Sequence, residues 1–366
     1  MSGVLHVIGL PHTSLTDEFS WCAYTGKVRR FPVMMSAQGY KTVTYHAGEG
    51  ERRDSWRDGE YVQLFSEEAR AERFPPGRIP AFTREMFDEF NRAATSAIRE
   101  RIQPGDVVCL VGGLAQESIA RAFAATNRVI EFAVGYEGVM NETFRCFESY
   151  AWMHTVYGHQ HGAGSADGRC YDAVIPNYYD TGEFPLRPDR PGEYLLYMAR
   201  LEARKGIHAA VAVAEALNVP LLVAGSGTPP PSKQVTYLGV VGPSERARLL
   251  CGARALIQPT TYVEPFGGVV AEALLCGTPV LTTDWGAFTE TVRPGVDGFR
   301  CRTLRQFVDG WGRIGQMTYS EAAERRAFAQ ARWSLATVGA RYRTWLASIS
   351  DLDSPRGLAT GPGWYA

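Results

Sequence analysis

Short apolar runs separated by amphipathic segments recur down the whole chain, and no other feature constrains the fold as strongly. Runs at 4–8, 42–45, 107–111 and 129–132 in the first half, and 194–198, 221–224, 235–238, 255–258 and 279–282 in the second, have strand length. Mostly apolar runs of that length mark strands buried on both faces, and helical segments between them are the crossovers of a parallel sheet. Helical spacing marks 27–38, 84–101, 145–157, 207–217, 244–251, 268–275, 303–311 and 320–349. In 207–217, for example, Ile207, Ala210, Val211, Ala214 and Leu217 fall on one face. The 366 residues exceed one ordinary core. The sequence therefore predicts an α/β protein of two Rossmann-like domains, 1–185 and 186–335, with the hinge near 174–177 and the Pro-rich stretch 184–191. Residues 336–350 continue as helix, and the Gly/Pro-rich segment 351–366 reads as an extended tail.

Charge and cysteine content narrow the function classes. Residues 1–185 hold 18 Lys+Arg against 24 Asp+Glu, and residues 186–366 hold 20 against 15. An acidic first half does not suit a polyanion held by phosphate contacts alone, whereas a mildly basic second half suits a nucleoside diphosphate. Seven scattered cysteines without a CxxC pair give no zinc spacing and fit a reducing compartment, so a cytoplasmic location is expected. No apolar run approaches the roughly 20 residues that span a bilayer. Only four residues are lysine (Lys27, Lys41, Lys205 and Lys233) in a chain that otherwise uses Arg, so each lysine position invites a specific reason.

Ligands of open α/β sheets sit at the carboxyl ends of the strands, and three second-half loops leave strands there. The loop after 194–198 carries Arg200, Lys205 and Gly206, a cationic pair suited to a diphosphate leaving group. The next strand runs into Gly225-Ser226-Gly227, which serves close packing as well as it serves a ligand. The third loop runs from Glu264 through Phe266, Gly267, Gly268 and Val269 to Glu272. Its glycines bring backbone N–H groups to a helix start, a ready anion site. Glu272 lies off the apolar stripe of that helix and is expected to be free to accept ribose hydroxyls, with Glu264 reaching the sugar.

Glu264 and Glu272 form an E-x7-E pair, and the run EPFGGVVAEALLCGTPVLTTDWGAFTETV resembles the family 4, "group 1" branch of retaining GT-B glycosyltransferases. YMARLEARKG is similar to that branch's G-R-L-x-x-x-K-G segment, with Ala199 in place of Gly, and VIPNYYD to its interdomain V-I-P-N-G-x-D, with Tyr178 in place of Gly. LPHT (10–13), CAYTGK (22–27), VGYEG (134–138) and FESYAWMH (147–154) resemble a less characterised subgroup. The resemblance implies two domains facing across a cleft and a final helix returning to the first. It implies catalytic or donor roles for Arg200, Lys205 and Glu264, backbone donation by Phe266, Gly267, Gly268 and Val269, and ribose binding by Glu272, with Gly225 beside them. The donor is then a nucleoside-diphosphate sugar, UDP- or GDP-linked, used without a required metal or other cofactor. The acceptor, whether glycan, lipid, protein, small molecule or modified nucleic acid, is left open, as is the oligomeric state.

In the first half, His12-Thr13 follows the first strand, where a cleft role competes with turn geometry. Lys27 opens a helix against the dipole, which hints at a ligand as much as at a snorkelling surface lysine. Tyr136 and Glu137 follow a strand end and are acceptor-pocket candidates, Glu137 as a polar contact or base. His154, His159 and His161 have no carboxylate or Cys to complete a metal set, and His154 is expected to pack in an aromatic helix. Asp351-x-Asp353 lies in the tail and reads as incidental. The competing functions are another GT-B activity (a phosphorylase or epimerase) and a non-catalytic nucleotide-sugar binder. A dehydrogenase is disfavoured because no strand leads into GxGxxG.

Overall fold

The structure is a computed structural model that describes residues 3–50, 59–74, 84–161, 168–169 and 171–350. The tail, with Asp351 and Asp353, lies outside the described residues, as does the side chain of His161. The chain forms two compact units. The first takes in residues up to Glu148, then Met153–Tyr178 and the helix Leu335–Ser350; the second takes in Ser149–Trp152 and Tyr179–Ser334.

The first unit is a parallel sheet of β1 (Val4–Ile8), β2 (Lys41–Ala47), β3 (Gly59–Phe65), β4 (Val107–Leu110), β5 (Arg128–Val134), β6 (Phe144–Phe147) and β7 (Ala173–Val174). Its order is β3-β2-β1-β4-β5-β6-β7, so the direction of winding reverses between β1 and β4. Helices cover both faces over two apolar layers. Leu335–Ser350 belongs to one of them. Its Tyr342 stands edge-on to Phe31, 5.2 Å between centroids, and Phe31 stacks on Phe132 at 4.2 Å. The return of the last helix to the first domain is thus fixed by aromatic packing.

The second unit is a parallel sheet of β8 (Leu195–Met198), β9 (Leu221–Ala224), β10 (Val235–Gly239), β11 (Ala255–Gln258), β12 (Val280–Thr283) and β13 (Gly298–Cys301), in the order β10-β9-β8-β11-β12-β13. Winding reverses between β8 and β11. That places the loops carrying Arg200–Lys205 and Glu264–Glu272 on either side of a topological switch point, the usual ligand crevice of such sheets.

Several local expectations are corrected. Residues 145–147 belong to strand β6, and the helix begins only at Tyr150. Arg145 is fully buried in that strand because Asp172 neutralises it, Nη2 to Oδ2 at 2.6 Å; a charge so placed disguises a strand. The first helix begins at Ala23, so Lys27 lies past its first turn and opposes little of the dipole. β3 at 59–65 and β13 at 298–301 escape the apolar-run criterion because polar residues alternate within them. The helical stretch 320–349 breaks at Ser334, where the chain leaves the second unit. His154 is exposed rather than packed.

Candidate active site

Glycine backbone geometry holds the loops of the second unit together. Gly206 has φ +81°, and a Cβ there would stand 2.0 Å from the Pro259 carbonyl oxygen. Gly225 has φ +140°, and a Cβ would stand 1.8 Å from the Ala199 oxygen. The loops after β8, β9 and β11 therefore touch backbone to backbone, which only glycine permits. That packing accounts for Gly225 by itself.

Lys205 and Glu264 meet across the switch point. The lysine Nζ lies 3.2 and 3.4 Å from the two Glu264 carboxylate oxygens, and it donates to the Tyr262 hydroxyl. It also stands 4.5 Å from the Tyr262 ring centroid. Burial, then the Glu264 charge, holds the Tyr262 hydroxyl far above the usual phenol range, so it stays protonated. Arg200 does not join this group. It pairs with Glu202 at 2.8 Å and its side chain is 44% exposed, which leaves it able to swing toward a ligand at small cost.

Gly267 adopts φ +80° and caps the helix Gly268–Leu275. The amides of Gly268 and Val269, in the first turn, have no intrahelical acceptor, and the dipole of the helix adds positive potential there. Phe266 is buried against Trp333, edge-on at 5.8 Å, so it offers a ligand backbone rather than side chain. Glu272 is buried and bound by Arg246, Nη1 to Oε1 at 3.3 Å, and is not the free carboxylate its position on the helix suggests. A buried carboxylate on an apolar helix needs a counter-charge, and Arg246 supplies it from the neighbouring helix Pro243–Gly252.

In the first unit the four strings 10–13, 22–27, 134–138 and 147–154 converge at the carboxyl ends of β1, β5 and β6, the last through Glu148. Thr13 shares a 2.6 Å hydroxyl bond with Thr25. His12 is buried, its Nε2 3.9 Å from the Cys22 sulfur, and burial, with Arg70 adding, lowers its pKa to about 4. Lys27 is buried too and is no surface lysine. It pairs with Glu148, donates to the Ala133 carbonyl at 3.2 Å and lies 4.3 Å from the Tyr24 ring centroid. Ala133 sits at φ +51° where the β5–β6 register slips, a bulge that turns its carbonyl to the lysine. Tyr24 donates to the Gly135 carbonyl at 3.0 Å, and its ring lies 5.9 Å from that of Tyr136.

Tyr136 in turn donates to Glu131 at 2.8 Å. Glu131 is fully buried, also bound by Thr143 and the Met140 amide, and burial raises its pKa against those bonds. Glu137 stands apart and exposed. The carboxylates built into this site are Glu131 and Glu148. Glu148 and Tyr24 lay inside strings already singled out, whereas Glu131 sits in an apolar strand and gave no signal beyond being a charge there. In the second unit, Glu202 lay inside the string YMARLEARKG, whereas Tyr262 and Arg246 were unmarked. Among the described residues, no three His, Cys, Asp or Glu stand together in a metal-ligating group, and no helix is long and apolar enough to cross a membrane.

Residues 192–314 match the family described as glycosyl transferases group 1. Mycobacterium tuberculosis glycogen synthase is 33% identical over 147 residues, 35% of each chain. Propionibacterium freudenreichii phosphatidyl-myo-inositol mannosyltransferase is 34% identical over 131 residues, 32% of this chain and 34% of that one. The chain thus matches about a third of the length of these curated relatives. Among solved structures, Thermosynechococcus elongatus sucrose-phosphate synthase superposes with TM-score 0.70 at 17% identity, covering 94% of this chain and 100% of that one. Anabaena HepE, solved with UDP and glucose, gives 0.63 at 14%, covering 95% and 100%. The architecture is GT-B.

Proposed function

We propose, on the premise that residues 192–314 form a group 1 glycosyltransferase domain, that this protein is a retaining glycosyltransferase using a nucleoside-diphosphate sugar. The observation that carries the reading is the placement of Lys205, Glu264 and the Gly267–Gly268 helix start on two loops flanking one switch point. The nucleotide lies in the second unit, with its ribose on Glu272 and its diphosphate at the helix start. Glu264 orients the sugar and holds Lys205 toward the scissile bond. As that bond breaks, negative charge grows on the diphosphate, and Lys205, Arg200 and the amides of Gly268 and Val269 stabilise it where it forms. Departure and attack occur on the same face, the leaving phosphate takes the acceptor proton, and no metal enters the scheme.

The donor is UDP- or GDP-linked, a reading supported by the UDP bound to Anabaena HepE. The acceptor binds the first unit, where His12, Thr13, Lys27 and Tyr136 converge. The free cysteines among the described residues fit reaction in the cytoplasm. A thermal-shift screen of UDP-, GDP- and ADP-sugars, followed by NMR of the released or transferred sugar, tests this. Stabilisation by one donor and a product of unchanged anomeric configuration are expected. Inverted product overturns retention, phosphate consumption or epimerised donor marks the other GT-B activities, and binding without turnover marks a non-catalytic binder.

A further inference from the structure

Glu272 is the single charged residue of the helix Gly268–Leu275, where Val270, Ala271, Ala273, Leu274 and Leu275 are all buried. Its counter-ion, Arg246, is the fourth residue of the helix Pro243–Gly252. The two side chains are 22% and 12% exposed, Arg and Glu respectively. The contact is one-sided: Nη1 meets Oε1 at 3.3 Å, while among the described residues Oε2 accepts no hydrogen bond from protein. A carboxylate has room for about four such bonds. A guanidinium that gripped both oxygens would have used that capacity; this one fixes the rotamer and leaves an oxygen open.

We infer that Arg246 is a positioning residue for nucleotide recognition: it pins Glu272 so that Oε2 accepts the ribose hydroxyls. This makes the site selective for ribonucleoside over 2′-deoxyribonucleoside diphosphates. The inference rests on the donor-site reading of Glu272 above. The arrangement has the logic of any buried polar site, in which a group left without its hydroxyl partner disfavours the deoxy ligand.

Isothermal titration of the full chain with UDP, GDP, ADP and their 2′-deoxy counterparts separates the possibilities. Wild type is expected to bind the ribose form of its nucleotide about tenfold or more tightly than the deoxy form. Arg246→Ala brings that ratio to within about threefold, chiefly by weakening the ribose form, and Arg246→Lys retains part of it. A ratio that survives Arg246→Ala overturns the positioning role, because a purely structural arginine would weaken both ligands alike. Equal wild-type affinity for the two forms overturns it as well. If Arg246→Ala fails to fold, Arg246→Gln and Arg246→Lys must still lower the ratio in that order. Absence of binding to any of the diphosphates sinks the donor-site reading and the Arg246 role with it, and is distinct from binding that ignores Arg246.

Discussion

Lys27→Met tests whether the convergence in the first unit is built on a buried ion pair. The lysine and Glu148 side chains are 7% and 4% exposed, so the pair is desolvated. Removing the lysine leaves a carboxylate without its cation, which costs about 3–5 kcal/mol. For a unit of about 200 residues each kcal/mol lowers Tm by roughly 2–4 °C, so a fall of about 6–20 °C is expected. The deficit should depend on pH. In the variant, Glu148 is a buried acid that has lost its lysine counter-charge, so its folded pKa is expected to rise above the unfolded value of about 4.3. The folded state then binds more protons than the unfolded, so the variant loses stability as pH rises through that window and is least impaired in acid. Lys27→Met combined with Glu148→Gln removes both charges and should recover most of the loss. Thermal and urea unfolding of the three proteins at pH 5 and pH 8 measure this. A Lys27→Met deficit below about 1 kcal/mol at pH 8 would refute the reasoning, as would a double variant no more stable than the single.

Other substitutions follow from the same geometry. Gly206→Ala must place a Cβ 2.0 Å from the Pro259 carbonyl at φ +81°, so the second unit should lose about 2 kcal/mol or more in urea unfolding; a loss under about 0.5 kcal/mol would mean the loop is not held as described. His12 has a folded pKa of about 4 against an unfolded value near 6.5, set mainly by burial. Its folded state binds fewer protons than its unfolded state, so stability falls by about 3 kcal/mol as pH drops through that window. His12→Asn should flatten that part of the pH–stability profile, and an unchanged slope would remove His12 as its source.

The fold was legible because parallel α/β sheets write themselves as apolar runs, and nine strands announced themselves in that way. Of the strands that were missed, β3, β6 and β13 carry charges or alternation, and β7 has only two residues. Arg145 in β6 is buried only because Asp172 waits 27 residues away, a pairing no local window contains. The candidate site of the second unit was legible for a related reason: its groups lie on two short loops, and the glycines that join them are visible as residues. What escaped was partnership. Glu272 looked free because helical spacing shows which face a residue occupies but not that Arg246 leans over from another helix. Lys27 could be read only as a ligand contact or a surface lysine for want of Glu148, 121 positions on. Glu137 drew attention by its place beside Tyr136, while the buried Glu131 that Tyr136 actually binds was hidden in an apolar strand.

The central claim is that Lys205 stabilises charge on a departing nucleoside diphosphate. Its most direct test is the rate of diphosphate release from the identified donor, comparing wild type with Lys205→Ala at saturating donor. A fall in kcat of ~10²–10³ is expected, with unfolding behaviour and donor affinity little changed, because one preorganised donor to a developing anion is lost. Turnover unchanged in a folded Lys205→Ala protein would contradict it.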